Sequence, residues 1–274
     1  MPPTPHPFDQ IITQPEDQIR LAAAALWYAA DEYPDVKVAY YLEFLDALAT
    51  RVARNRAATP HEQIDALRLE IVEHEGFAGN RTDYHNPQNS YLNRVIDRRT
   101  GIPVSLSVIW LDVAARLGWP FAGLNMPGHF LICATGSGED IIVDPFNGGA
   151  VLSKAECGHM ALALFGSDFR LQPEHLAHVG TRDVLRRMLG NLHSIYLVRR
   201  DWPRCTKVLR RVFALRPTDP EIAAELAQLL AVTGELAEAL AILHGLLNTE
   251  LSDDRREFIR RQIDILHHRI AQTN

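Results

Sequence analysis

The sequence predicts an α+β domain with N-terminal helices and a small antiparallel sheet, followed by an all-α region, with the boundary between residues 180 and 181. Three observations support this division. Apolar residues at helical spacing dominate residues 18–117, two short apolar runs around a glycine-rich turn follow, and a 34-residue period fills the C-terminal part. A chain of 274 residues is comfortable for two domains, because domains usually hold about 100–200 residues.

Three helices are predicted first, over residues 18–31, over residues 38–55 and from Pro60 onwards, each with its apolar side chains at helical spacing. We interpret them as core scaffolding. The proline-rich residues 1–10 are expected to be poorly ordered. Residues 77–91 contain glycine, proline and several asparagines, so they are predicted to form a loop.

A buried central helix is the next predicted element. Helical spacing resumes at residues 90–99, with Ser90 as its N-cap, and Gly101 interrupts it. Pro103 suits the first turn of a new helix, because its missing N–H would have no partner there in any case. That helix, over residues 104–117, is apolar on almost every side, which is typical of a helix buried all round.

A β-hairpin follows, with strands at residues 129–134 and 141–144 and a turn at residues 135–140. His129 and Asp144 are nearly equidistant from the turn, so they are predicted to lie opposite each other with Cβ atoms about 5 Å apart. A carboxylate beside an imidazole orients the ring and stabilises its charged form, as in a catalytic triad. The alternatives are a structural pair at the hairpin end, or a one-residue slip that separates the two side chains.

A nucleophile for this pair is expected at the N-terminus of the central helix, because the helix dipole favours an anion there. The helix offers Ser105 and Ser107 but no cysteine. Serine needs a well-placed base, so one hypothesis is a Ser105–His129–Asp144 triad, and the alternative is that Ser105 is a capping or packing hydroxyl. Cys133 would lie about 13 Å from His129 along the strand, too far to be its nucleophile, and is interpreted as a core thiol.

Composition excludes several classes of function. The net charge of −6 gives no general attraction to nucleic acid or to an anionic membrane. Three scattered cysteines, no CxxC pair and no secretory signal predict a reduced, cytoplasmic protein. A metal site built from His74, His85, His129 and Asp144 has no recognisable ligand spacing, and no glycine-rich phosphate loop is present. We therefore predict no metal and no cofactor.

The C-terminal region contains two copies of a 34-residue pattern, beginning near Arg186 and near Pro220. This period matches the tetratricopeptide repeat, in which each unit is a pair of antiparallel helices. His193 replaces the usual glycine, and a final helix at residues 255–270 is expected to cap the array. The region predicts a protein or peptide partner. The packing positions are Leu189, Leu192, Tyr196, Cys205, Leu209, Val212 and Pro217 in the first unit, and Ala223, Leu226, Leu230, Gly234, Ala239, Leu243 and Leu246 in the second.

An ordered set of motifs links the loop, the central helix and the hairpin. The set resembles the SirB-type (invasion-regulator-type) family, a branch of the transglutaminase-like superfamily with C-terminal tetratricopeptide repeats. The resemblance implies a papain-like fold and a Cys–His–Asp site, with the histidine at His129, the aspartate at Asp144 and Pro103 in the place of the cysteine. The motifs are Gly79-Asn80, Asn86-Pro87-x-Asn89-Ser90, Arg98-Arg99-x-Gly101-Ile102-Pro103-x-Ser105, Pro127-Gly128-His129-Phe130 and Asp144-Pro145-Phe146-x-Gly148-Gly149.

Since proline carries no nucleophile, the resemblance implies a non-catalytic regulator or adaptor: a pseudoenzyme domain that still holds a peptide or acyl group, joined to repeats that bind a protein. A hydrolase or acyltransferase using Ser105 is the second hypothesis, and a helical interaction scaffold capped by the first domain is the third. Tyr84, Asn86 and Asn89 are candidates for binding at the mouth of the cleft. The alternative for the two asparagines is that they form turns and cap a helix.

Overall fold

The computed structural model describes residues 5–136 and 138–273, apart from the side chains of residues 272 and 273. The chain divides into two compact units, residues 1–188 and residues 189–274. The predicted boundary between residues 180 and 181 stays a prediction. Within the described ranges, no helix is long and apolar enough to cross a membrane.

The first unit is α+β, as the sequence predicts, and its central helix is almost completely buried. Pro103 occupies the first turn of this helix, and every residue from Pro103 to Ala114 is buried. The helix packs against N-terminal helices on one side and against the sheet on the other. The α-helices of this unit are α1 (Pro7–Ile12), α2 (Leu21–Ala29), α3 (Val38–Ala53), α4 (Pro60–Arg68, continued by a π-helical turn Leu69–His74), α5 (Leu92–Arg98), the central helix α6 (Pro103–Arg116) and α7 (Lys154–Phe165), and α8 (Thr181–Arg199) starts in it.

The strands form one antiparallel five-stranded sheet in the order β6-β5-β4-β3-β7 and one short parallel pair, β1-β2. The larger sheet has α6 on one face. Its other face carries an apolar cluster to which Cys157 and Ala161 of α7 belong. The strands are β1 (Ala78–Gly79), β2 (Thr100–Gly101), β3 (Phe121–Leu124), β4 (Leu131–Ala134), β5 (Ile141–Asp144), β6 (Ala150–Leu152) and β7 (His178–Val179).

Three local predictions differ from the structure. Residues 1–4 lie outside the described residues, but residues 7–12 form α1, because His6 caps the helix and Phe8 is fully buried. The N-cap of α5 is Tyr91 rather than Ser90, whose buried hydroxyl has no hydrogen-bond partner. The parallel β1-β2 pair adds short extended segments that the loop assignment for residues 77–91 did not include.

The hairpin register also differs from the prediction. Ile132 pairs with Val143 and Ala134 pairs with Ile141, so the residue opposite Asp144 is Leu131, and His129 lies outside the strand. This is a displacement of two residues, which keeps side chains on the predicted face because strand side chains alternate with a period of two. The predicted turn contains Ser137, which lies outside the described residues.

The second unit contains the end of α8, then α9 (Trp202–Leu215), α10 (Pro220–Thr233), α11 (Leu236–Leu247) and α12 (Asp253–Thr273). Successive helices from α9 to α12 pack against one another, as the 34-residue period predicts. His193, at the usual glycine position, lies beside Glu225, with 3.1 Å between His193 Nε2 and Glu225 Oε1. Pro217 and Gly234, which were also predicted to pack, are exposed, and Gly234 instead ends α10 with φ of +89°. The other twelve predicted packing positions are buried: Leu189, Leu192, Tyr196, Cys205, Leu209, Val212, Ala223, Leu226, Leu230, Ala239, Leu243 and Leu246.

Candidate functional site

The structure brings His129 and Asp144 together. Asp144 is the last residue of β5, and His129 follows a tight turn in which Gly128 has φ of +70°. That left-handed conformation is accessible to glycine at little cost, and it redirects the chain just before β4 begins. The turn compensates for the two-residue register difference, so His129 Nε2 still lies 3.0 Å from Asp144 Oδ2.

The Asp144 carboxylate is fully buried, and donors occupy both of its oxygens. Oδ1 accepts hydrogen bonds from the backbone N–H groups of Phe146 and Asn147, at 3.0 and 3.2 Å. Oδ2 accepts from His129 Nε2 and from the Asn147 side-chain amide, at 3.0 and 2.6 Å. A carboxylate only accepts hydrogen bonds, so His129 Nε2 donates to Asp144, and Nδ1 is the ring nitrogen that this bond does not use. In a catalytic triad the ring nitrogen away from the carboxylate is the one that takes up the proton.

Aromatic and cationic side chains surround His129. Phe146 packs edge-on against its ring at 5.9 Å between centroids, and Tyr84 packs in the same manner on Phe146 at 6.1 Å. Arg187, on α8, donates to the backbone oxygen of His129 at 3.4 Å and to Asn125 Oδ1 at 3.3 Å. The surroundings therefore combine an apolar wall with a cation.

Arg187 is a half-buried guanidinium with only neutral acceptors. In the part of the chain that the structure describes, no carboxylate lies within ion-pair distance of it. Burial lowers the pKa of Arg187, and the nearby Tyr84 opposes this shift. For the Tyr84 phenol, whose charged form is the deprotonated one, burial instead raises the pKa. A cation that is partly desolvated and lacks an acidic partner is suited to bind a carbonyl or carboxylate group.

Ser105 is not brought to the imidazole. Its hydroxyl is completely buried and donates to the backbone oxygen of Asn89, 2.6 Å away. Ser105 Oγ also accepts a hydrogen bond from the N–H of Ile102 at 3.0 Å, so the Ser105 side chain fastens the start of α6 to the preceding loop. Among the described contacts there is no hydrogen bond between Ser105 and His129. Ser107 is also buried, and its hydroxyl has no partner in the structure.

The two predicted asparagines organise the loop before α5. Asn86 accepts from the N–H of Gln88 at 2.9 Å and so caps the short 3₁₀ turn Pro87–Asn89. Asn89 is fully buried, and its amide donates to the backbone oxygens of Asp83 and Tyr84 at 2.7 and 3.2 Å. Its Oδ1 accepts from two further side chains, those of Asn80 and Arg98, both at 3.1 Å. These bonds satisfy the Asn89 amide within the protein.

The cysteines of the first unit are poor nucleophiles. Burial raises the pKa of Cys133 to about 12, and the charge of Asp140 adds to the shift. Burial also raises the pKa of Cys157, with a further contribution from the charge of Asp144. Neither sulfur hydrogen-bonds to His129 in the described structure. The thiolate, which is the reactive form, is therefore strongly disfavoured at neutral pH.

Sequence reasoning missed Phe146 and Arg187. Phe146 was visible as part of the Asp144-Pro145-Phe146 motif, directly after a candidate residue. Arg187 gave no signal, because it lies in the helical region 58 residues from His129 and its pattern is that of an ordinary surface arginine. Only the tertiary contact identifies it.

Comparison with known proteins shows the family to which the chain belongs. Residues 39–190 match the transglutaminase-like superfamily, and residues 206–256 match the tetratricopeptide repeat. The chain belongs to the transglutaminase-like superfamily. The match spans every element of the transglutaminase-like site described above, from the loop at Tyr84 to Arg187.

Two bacterial relatives match this chain over most of its length, and a mammalian one matches about half of it. A UPF0162 protein of Xylella fastidiosa (strain Temecula1) is 31% identical over 97% of both chains. A UPF0162 protein of Pseudomonas aeruginosa is 30% identical over 88% of this chain and 87% of its own. The F-box only protein 21 of Mus musculus is 37% identical over 48% of this chain and 21% of its own. No solved structure matches.

Proposed function

We propose that this protein is a non-catalytic regulatory or adaptor protein whose transglutaminase-like domain is a pseudoenzyme. The single observation behind the proposal is the start of α6, where the superfamily nucleophile is expected. Pro103 stands there without a reactive group, and the next hydroxyl, that of Ser105, is engaged with backbone groups. The general-base pair thus has no nucleophile beside it among the described side chains.

A retained binding role is the second part of the proposal. Beside His129 lie the ring of Phe146 and the guanidinium of Arg187, which donates to the His129 backbone oxygen. A peptide or acyl group fits this combination, because its carbonyl or carboxylate oxygens accept from the cation while its apolar part packs on the ring. Asp144 then serves to hold the imidazole in one orientation.

The repeat unit supplies the proposed interaction with another protein. Tetratricopeptide repeats generally form protein-binding surfaces, because stacked helix pairs create an extended concave face. Membership of the SirB-type branch belongs to the same proposal, on the ordered motifs between Gly79 and Gly149. Cytoplasmic localisation stays the prediction that the cysteine content makes.

The test is an activity assay on the full chain. The protein is incubated with a fluorescent amine and a glutamine peptide, and separately with an activated ester and with serine- and thiol-reactive probes, followed by intact mass measurement. We expect turnover no higher than that of a His129→Ala variant and no stoichiometric adduct. Turnover that requires His129 would contradict the proposal.

A hydrolase or acyltransferase is the second candidate, favoured by the intact His129–Asp144 hydrogen bond. It requires Ser105 to leave its bonds to Asn89 and Ile102. The same assay distinguishes the two. Under this alternative Ser105→Ala abolishes turnover, whereas Ser107→Ala, which removes a buried hydroxyl from the same helix, leaves it intact.

A further inference from the structure

A second group of chemistry-bearing side chains lies away from His129, on the α7 side of the larger sheet. Cys133 on β4 pairs with Ala122 on β3, and His178 on β7 pairs with Leu124, two residues along β3. Asp140 lies directly before β5. Ile142 of β5 pairs with Cys133, and Asp140 lies two residues before Ile142, on the same face. Since strand side chains alternate, all three side chains point to one face.

The three donor atoms converge on one point. Cys133 Sγ lies 3.4 Å from His178 Nε2, and Asp140 Oδ2 lies 2.6 Å from the same nitrogen. All three atoms lie within 4.8 Å of one another. In the described part of the chain, this is the one place where three such side chains bring their donor atoms together.

This arrangement is not that of a Cys–His–Asp catalytic triad. In a triad the nucleophile and the carboxylate use different nitrogens of the imidazole, one to lose its proton and the other to be oriented. Here the sulfur and the carboxylate both face Nε2 of His178. A single nitrogen cannot relay a proton between them, whereas convergence on one point is what a bound cation requires.

We propose that Cys133, Asp140 and His178 bind one divalent transition-metal ion of the zinc class. A thiolate, an imidazole and a carboxylate are ligands that Zn²⁺ and Co²⁺ accept, whereas Mg²⁺ and Ca²⁺ prefer oxygen ligands alone. Three protein ligands leave a fourth tetrahedral position for water or another small ligand. Binding the cation holds the Cys133 sulfur as the thiolate and releases its proton.

The sulfur–nitrogen separation already fits such an ion, and all three donor separations are at most 4.8 Å. Metal–sulfur and metal–nitrogen bonds of about 2.3 and 2.0 Å place the two ligand atoms of a tetrahedral site roughly 3.5 Å apart. The sulfur and Nε2 are 3.4 Å apart without any change. Asp140 Oδ2 has to withdraw by roughly 0.8 Å from Nε2 on the same geometry. It can do so because its side chain is 38% exposed and Asp140 precedes the paired residues of the hairpin strand.

The site also has an entry path. Asp140 lines an open groove of about 1040 Å³ that runs along α7, with Lys154 and His159 among the other lining residues. Cys133 is completely buried, whereas the side chains of His178 and Asp140 are 48% and 38% exposed. An ion from solvent can therefore reach the imidazole and the carboxylate directly.

The experiment is a Co²⁺ titration of the full, reduced chain followed by near-ultraviolet and visible absorption. Expected are one Co²⁺ per chain, a thiolate-to-cobalt charge-transfer band, tetrahedral ligand-field bands, and loss of all of them when Zn²⁺ is added. Cys133→Ser should remove the charge-transfer band. Asp140→Asn and His178→Gln should each weaken Co²⁺ binding by at least ~10-fold, by analogy with the loss seen when supporting groups are removed.

Cys157→Ser is the matched control, because Cys157 is a buried thiol in the same apolar cluster on the α7 side of the sheet but lies outside the group. It should keep the band and the stoichiometry. A native chain without the band, or a band that survives Cys133→Ser, overturns the proposal. Asp140→Asn changes an exposed residue, so unaltered binding by this folded variant overturns it as well.

Discussion

Replacing Asp144 by asparagine tests how the candidate site is held together. The substitution keeps the size of the side chain and one acceptor oxygen, which can still serve the backbone N–H groups of Phe146 and Asn147. The other oxygen becomes an NH₂ group that faces two donors, His129 Nε2 and the Asn147 amide. If the new amide rotates by 180°, its NH₂ group instead faces the backbone N–H donors of Phe146 and Asn147.

The magnitude follows from these bonds. Each lost hydrogen bond to a charged acceptor contributes about 1.5–3 kcal/mol. His129 can recover one bond by moving its proton to Nδ1, so that Nε2 accepts from the new amide. Asn147 cannot turn in the same way without losing the bond that its Oδ1 accepts from Arg81. We therefore expect Asp144→Asn to lower the free energy of unfolding by about 2–4 kcal/mol.

The assay is urea unfolding followed by tryptophan fluorescence in a Trp202→Phe background. Trp27, Trp110 and Trp119 all lie in the first unit, so the remaining signal reports on that unit alone. Asp65→Asn is the control, because Asp65 is 67% exposed and forms only a surface ion pair, where about 0–0.5 kcal/mol is expected. An Asp144→Asn loss as small as that of the control refutes the reasoning.

Three further predictions use the same background or simple thiol chemistry. Gly149→Ala should cost about 2–4 kcal/mol, because φ is +76° and the added Cβ would lie 2.5 Å from Trp110 Cη2, whereas Gly118→Ala, at φ of +68° with open space, should cost only about 1 kcal/mol. In the repeats, thermal unfolding should show a loss of about 2–5 kcal/mol for Leu230→Ala, which is fully buried, and almost none for Val232→Ala, which is 57% exposed. Burial raises the pKa of all three thiols, so native protein at pH 8 should react with a disulfide reagent at least ~100-fold more slowly than protein in urea. The free energy of unfolding should also fall as the pH rises above about 9, because the thiols of the unfolded chain ionise at lower pH than those of the native protein. Equal rates in the two states, equal losses within either pair, or stability unchanged by alkali would contradict the respective argument.

Much of the fold was predictable because local patterns reflect local backbone geometry. The apolar run after Pro103 predicts a helix buried on every side, and α6 is that helix. The 34-residue period predicts helix pairs, and twelve of its fourteen packing positions are buried, the exceptions being Pro217 and Gly234. Of the two hairpin strands, β4 begins two residues later than predicted, at Leu131, and β5 has the predicted bounds, Ile141–Asp144.

The candidate site was less predictable. The equal distances of His129 and Asp144 from the predicted turn indicate that these residues pair, but the observed hairpin register differs by two residues from the one that places them opposite each other. It left Ser105 open as a nucleophile, and only the structure reveals that its hydroxyl bonds to Asn89, 16 residues earlier in the chain. Pattern alone does not fix such contacts, because many partners are compatible with one buried hydroxyl.

By itself, the sequence determined most of the helices, the two hairpin strands, the repeat array and the absence of a cysteine at the start of the central helix. It did not predict the helices α1 and α7 or the strands β1, β2, β3, β6 and β7. Tertiary structure alone decided which side chains meet: Arg187 with the His129 loop, and Cys133 with His178, 45 residues apart. The physical reason is that periodicity is set within a few residues by backbone geometry. Convergence of side chains from separate strands and helices depends instead on register, turn conformation and packing, which the whole fold fixes together.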